Sequence, residues 1–147
     1  MPIRPEMKDR YPKDWPAISA SIRERAGWCC EECGVRNGAL GGRKPNGDWC
    51  PAQPTGTNGL RTTWPEPGTE SWCTDPKTGE SIRLRIVRIV LTVAHLDHQP
   101  ENCEPYNLRA WCQRDHNRYD AAERRKGIKQ RLHAASAAGD LFCEQAT

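Results

Sequence analysis

Apolar residues recur with two different periods along this chain. Between Trp15 and Gly27, Ile18, Ile22 and Ala26 fall four apart and form a single stripe, which predicts an amphipathic helix. Asp14 or Trp15 serves as its N-cap, and Pro16 sits early, where a missing N–H costs little. Gly27 stands at the C′ position that ends it. Beyond Thr78-Gly79-Glu80, a turn, the period becomes two. Ile82, Leu84 and Ile86 alternate with Arg83 and Arg85, predicting a half-buried strand with a basic outer face. Val87–Val93 stays apolar and β-branched apart from Arg88 and Thr92, so a bulge or hairpin is expected near Val87-Arg88 before the strand reaches His95. After a loop at Pro100–Pro105, Tyr106–Leu108 reads as a second, very short strand. A helix is expected from about Ala110, with Trp111, Asp115 and Tyr119 spaced four apart. His116 and Asp120 then share a face, one turn apart. Gly127 interrupts or ends that helix, and Ile128–Ala138 forms a second helical piece closed by Gly139. His133 lies there as an ordinary surface histidine.

Between these elements the pattern is weaker. Residues 1–14, rich in Pro and charge, read as an extended arm, and residues 35–80, which hold most of the Gly and Pro, as a loop-rich insertion with at most one short hairpin. Four Trp-Cys dipeptides occur without surrounding similarity and do not make a repeat. Cys50 and Cys73 read as two partly buried free thiols in preference to a disulfide or a second metal half-site.

Composition narrows the picture. The chain has 147 residues, a length that suggests one domain, and only 36% are hydrophobic, so its core is small and needs reinforcement. Eight cysteines supply the means. MPIRPEMKDRYPKDW lacks the apolar segment of a secretory signal, and no apolar run reaches membrane-spanning length. We therefore expect a cytoplasmic protein with reduced thiols that bind metal, away from membranes. The net charge of +3 argues for no partner by itself. Its placement argues more, because eight Lys/Arg lie between Arg109 and Arg131 against Asp115, Asp120 and Glu123. Such a patch fits a phosphate backbone, or equally a solvated helix face.

Two groups of residues carry chemistry. Cys30-x-x-Cys33 followed by Gly34 has the spacing of a zinc knuckle, and Cys112-x-x-Asp115 offers a second half-site. Cys29 is a poorer alternative to Cys30. The other group is His95, Asp97, His98, Asn107, His116 and Asp120. A hydrolytic metal site needs oxygen or imidazole ligands, an open position on the ion, and a base that does not bind it. Histidine suits the base because its pKa lies near neutrality.

The C-x-x-C-G knuckle, the AHLDHQP segment, Asn107-Leu108 and CQRDH ending at His116 resemble the HNH endonucleases, most closely those of phages and prophages. The resemblance covers Tyr11–Cys33 and Leu91–Asp120 but not the middle of the chain. It implies a small α+β fold: a ββα-metal core over 81–126, preceded by the helix at 15–27 and the knuckle at 28–34, with a helical tail at 127–147. It also implies a metal-dependent DNA endonuclease of a bacterial host's phage or prophage, with structural zinc on Cys30, Cys33, Cys112 and Asp115. The catalytic cation, Mg²⁺ or Mn²⁺, would lie on Asp97, His116 and Asp120, with Asn107 either orienting the base or contributing to the metal site. Two departures stand out. Ala94 precedes His95 while Asp97 precedes His98, so either histidine is the base; the apolar register Val-x-His-Leu favours His95. Asp115 stands where the family carries a second cysteine. The rival expectation is a zinc-stapled DNA-binding module without cleavage.

Overall fold

Helix α1 (Trp15–Arg25) forms where the four-residue spacing predicts it. Its C-terminus closes in a Schellman motif: the Trp28 N–H donates to the Arg23 carbonyl at 2.9 Å, and the Gly27 N–H to the Glu24 carbonyl at 2.8 Å. Gly27 takes φ +61°, a left-handed conformation that side-chain-bearing residues resist. Asp14 occupies the N-cap without a side-chain capping bond. The computed structural model describes residues 5–143, with the backbone alone for residue 6 and residues 137–143. Pro5–Arg10 winds into a 3-10 helix in place of the expected extended arm, and an ion pair ties Arg10 to Glu101. Residues 1–4 of that arm, and 144–147 of the tail, lie outside the described residues.

The stretch 35–80 is not mainly loop. It contributes β1 (Leu40–Arg43), β2 (Trp49–Pro51), β3 (Gly56–Asn58), β4 (Arg61–Thr63) and β5 (Glu70–Thr74), the last pairing with β6 (Ser81–Arg85). Three antiparallel hairpins, β1–β2, β3–β4 and β5–β6, therefore replace the single hairpin expected. Only β6 shows its alternation in the sequence; β1 to β5 escape pattern reading because they are three to five residues long, and β3 and β4 are exposed throughout. Strand β1 lies between β2 and β7 (Val87–Arg88). A Cβ on Gly41 would overlap the Cys50 carbonyl, and one on Gly42 the Leu84 side chain, so two glycines let β1 fit. Cys50, Ala52, Cys73 and Ile86 form a small core here, against Leu40, Ile82 and Leu84. Cys50 and Cys73 are fully buried free thiols, not partly buried ones.

The apolar run from Ile82 to His95 passes between three partners. β6 pairs with β5, β7 with β1, and β8 (Leu91–His95) with β9 (Leu108–Cys112). The break near Val87 is thus a change of partner, neither a bulge nor a hairpin. Register along β8–β9 runs from Leu91 opposite Cys112 to His95 opposite Leu108. The second strand starts two residues later than expected, since Pro105–Asn107 is a 3-10 turn, and it continues through Ala110 and Trp111. Cross-strand pairing holds those residues extended and overrides their helical spacing. On the face shared by Leu91, Val93, His95, Leu108, Ala110 and Cys112, α1 covers one end: Ile22 packs with Leu108 and Ala110. Cys30 and Val35 pack at the other end with Leu91 and Cys112.

Helix α2 (Gln113–Cys143) runs unbroken through Gly127, correcting the expected interruption. A glycine inside a helix weakens it by only about 1 kcal/mol relative to alanine. The fold is thus α+β with small antiparallel sheets, in two compact units, Met1–Gln113 and Arg114–Thr147. No helix among the described residues is long and apolar enough to cross a membrane.

Candidate functional site

Strand β8 ends at His95, and the chain turns at once. The Leu96 N–H donates to the Asn107 carbonyl at 2.9 Å, and the His98 N–H to the His95 carbonyl at 3.2 Å. Asn107 closes this loop from its far side. It is 4% exposed, and its amide is used at both ends. Its Oδ1 accepts from the Asp97 N–H at 3.2 Å, while Nδ2 donates to Asp97 Oδ1 at 2.9 Å and to the Asn102 carbonyl at 2.8 Å. That pattern fixes which end of the amide is oxygen, because a flipped amide would set donor against donor. Asp97 Oδ1 also accepts from the Gln99 N–H at 2.9 Å, and Oδ2 from Asn102 Nδ2 at 2.6 Å. The Asn107 hydrogen bond, then the Gln99 N–H and more weakly Asn102, pull the Asp97 carboxyl down to about 2 against the opposing effect of burial. These donors are neutral amides and leave the negative charge of Asp97 in place.

The two candidate bases have different surroundings. His95 is 8% exposed. Its ring stacks on Trp15 with centroids 4.9 Å apart, Tyr11 meets it edge-on at 5.7 Å, and its Nε2 lies 3.8 Å from the Cys103 sulfur. His98 is exposed and takes φ +57°, in the left-handed region where histidine is more common than most side chains. On α2, Asp120 Oδ2 lies 3.2 Å from His116 Nε2, as the four-residue spacing requires.

The thiol group is the clearest metal site among the described residues. One ligand atom each from Cys30, Cys33, Cys112 and Asp115 all lie within 4.8 Å of one another. The Cys33 and Cys112 sulfurs are 3.8 Å apart. Tetrahedral zinc with Zn–S bonds of about 2.3 Å requires sulfurs about 3.8 Å apart, so this pair already has the right separation. Local structure sets it. The Gly34 N–H donates to the Cys30 carbonyl at 2.9 Å and the Cys30 N–H to the Val35 carbonyl at 2.9 Å, closing a tight turn. Glu31 ties that turn to β9, donating its N–H to the Ala110 carbonyl at 2.9 Å and accepting the Ala110 N–H on Oε2 at 2.6 Å. Cys30 accepts from the Cys112 N–H at 3.3 Å. The Cys112 side chain, with backbone donors at Cys33, Cys112 and Glu32, pulls the Cys30 thiol down to about 6 against the effect of burial. Thiolate is the form that binds metal. Burial pushes Cys50, Cys73 and Cys103 up instead.

The structure thus brings Asp97 to Asn107, His116 to Asp120, and the three cysteines to Asp115, while it separates the environments of His95 and His98. Sequence reading missed other residues that reach these groups. Tyr11 and Trp15 enclose His95, Asn102 holds Asp97, and Arg43 donates to two of the cysteine sulfurs. None lies in a recognisable motif; Asn102 is five residues from Asp97 in the same loop, whereas the fold brings Tyr11 and Trp15 to His95 and Arg43 to Cys112. Comparison with protein-family models, with curated proteins and with solved structures gives no match to this chain.

Proposed function

We propose that this protein is a metal-dependent DNA endonuclease of the HNH type, with a ββα-metal core stapled by structural zinc. The observation that carries this reading is the Asn107–Asp97 clip, which locks an ionised carboxylate next to His98 at the end of a strand. A loop that needed only closure would not require a buried Asn to hold a charged side chain in a set position. Exposure supports His98 over His95 as the general base, because a base must meet both water and substrate. His95 is enclosed by Trp15, Tyr11 and Cys103 and braces α1 against β8. The preference for His95 drawn from the apolar register is thereby reversed in this proposal.

His116 and Asp120, one turn apart on α2, offer the imidazole and hard oxygen donors that suit Mg²⁺ or Mn²⁺, and the ionised Asp97 carboxylate is a donor of the same kind. Once bound, such an ion neutralises charge developing on a phosphate and its leaving oxygen. The chain's own residues do the remaining work. His98 accepts the proton of the attacking water, and Asn107 fixes the loop that carries it. Arg124, Arg125, Lys126, Lys129 and Arg131, all exposed on α2, offer charge to the DNA backbone. Zinc on Cys30, Cys33, Cys112 and Asp115 supplies folding free energy to a chain with a small core.

The test is incubation of purified protein with supercoiled plasmid in Mg²⁺, Mn²⁺ or EDTA. Nicked or linear product that appears with metal and vanishes with EDTA is expected. Binding without cleavage under every metal condition would instead establish the DNA-binding module.

A further inference from the structure

We propose that Arg43, in the insertion between the two cysteine half-sites, is an outer partner of the metal centre and sets how tightly the metal is held. Its Nη2 donates to the Cys33 sulfur at 3.4 Å and to the Cys112 sulfur at 3.4 Å, bridging one sulfur from each half-site. Its Nη1 donates to the Gly47 carbonyl at 3.0 Å, and its guanidinium lies 5.4 Å from the centre of the Trp49 ring. These contacts orient the guanidinium before any metal arrives. Arg43 and Trp49 are cross-strand partners in β1–β2, so the hairpin presents the side chain. Gly41 and Gly42 bring β1 close to β2 and β6.

Three thiolates and a carboxylate around a divalent ion leave a net negative charge on the site. A guanidinium stays protonated at every relevant pH and offsets that charge. Its N–H groups also draw electron density from the sulfurs, making them poorer nucleophiles. Lysine would keep the charge but lose the planar fork, which here bonds two sulfurs and a carbonyl while lying over an indole. A residue that only braced the hairpin would need the Gly47 and Trp49 contacts and not the sulfurs.

This inference rests on the zinc reading, and the experiment separates the two. Zinc is first counted in reduced wild-type protein by elemental analysis. Absence of zinc overturns the metal reading and this proposal with it. With zinc present, its affinity is measured by chelator competition in wild type, Arg43→Gln and Arg43→Lys, alongside the rate at which an alkylating agent releases it. Loss of a hydrogen-bond partner behind metal ligands typically weakens binding by ~10–100-fold. Arg43→Gln is expected to fall in that range and to release zinc faster, with Arg43→Lys between it and wild type. Affinity and release within about two-fold of wild type would overturn the role of Arg43 while leaving zinc in place. Should Arg43→Gln not fold, wild type alone decides by proton exchange at the Arg43 guanidinium. Exchange slower than that of an exposed arginine, and slower still in zinc-loaded protein than after chelation, supports the proposal. Exchange as fast as that of an exposed arginine in both states overturns it.

Discussion

Asn107 is buried with every polar atom of its amide engaged, so replacing it leaves its partners without their bonds. The folded pKa of Asp97, about 2, lies below its ordinary value of about 3.9. The clip's contribution is therefore present above about pH 4 and is lost as pH falls toward about 2. In Asn107→Ala the Asp97 titration, followed by carboxyl-carbon NMR, should move up toward the ordinary range. An unchanged midpoint would mean that Gln99 and Asn102 hold the carboxylate alone. The histidines separate in another way. His95→Phe keeps a ring against Trp15, so it should melt near wild type and still cleave DNA. His98→Ala should lose ~10²–10⁴-fold in rate, the usual worth of a general base, and added cation should not restore it. The opposite pattern would return the base to His95. Both His95 and His98 were legible as candidates, because histidines spaced around an Asn are visible in one line of sequence. What distinguishes them was not legible, since Tyr11 and Trp15 reach His95 from 84 and 80 residues away.

At the scale of elements, legibility followed the range of the forces involved. Helix α1 could be read because its stripe and its closing glycine are local. Ala110 and Trp111 could not, because pairing with Val93 and Thr92 keeps them extended. The insertion strands β1 to β5 were hidden for a related reason: they are too short to show a period. Two glycines test this account in opposite directions. Gly127 lies inside α2 with nothing within 4 Å of where a Cβ would stand. Gly127→Ala should stabilise that helix by about 0.5–1 kcal/mol, seen as greater helicity and a higher melting point by circular dichroism. Gly42 has no such room. Gly42→Ala should destabilise by about 1–3 kcal/mol, the usual effect of overpacking, measured by urea unfolding. A neutral Gly42→Ala would contradict the close approach of β1 to β6.

For the whole molecule, the two hydrophobic periods predicted a helix and a strand, the α+β class was what the resemblance implied, and the knuckle came from a four-residue spacing. Which cysteines would meet was legible only as spacing, because the joining contact spans 79 residues. Removal of metal should act on the entire first unit, as Cys30, Val35, Leu91 and Cys112 share one core. A strong chelator is expected to lower its melting temperature sharply, and Cys30→Ser to do the same with reduced bound zinc. A melting curve indifferent to chelator would refute a structural role for the ion.

The distance along the chain between Cys33 and Cys112 has a consequence for how the molecule tolerates change. An ion that joins them closes a long loop, and the entropy of closing a flexible loop grows only with the logarithm of its length, about 0.6 kcal/mol per doubling. Length inside that loop is therefore nearly neutral, provided the pieces that pack are kept. Strands β3 and β4 are exposed along their whole length, and their ends meet where the Thr55 N–H donates to the Thr63 carbonyl at 2.9 Å. Excising residues 56–62 should leave metal content and melting temperature almost unchanged. The segment between the half-sites is thus a place where a chain of this kind can gain or lose a hairpin without refolding the rest.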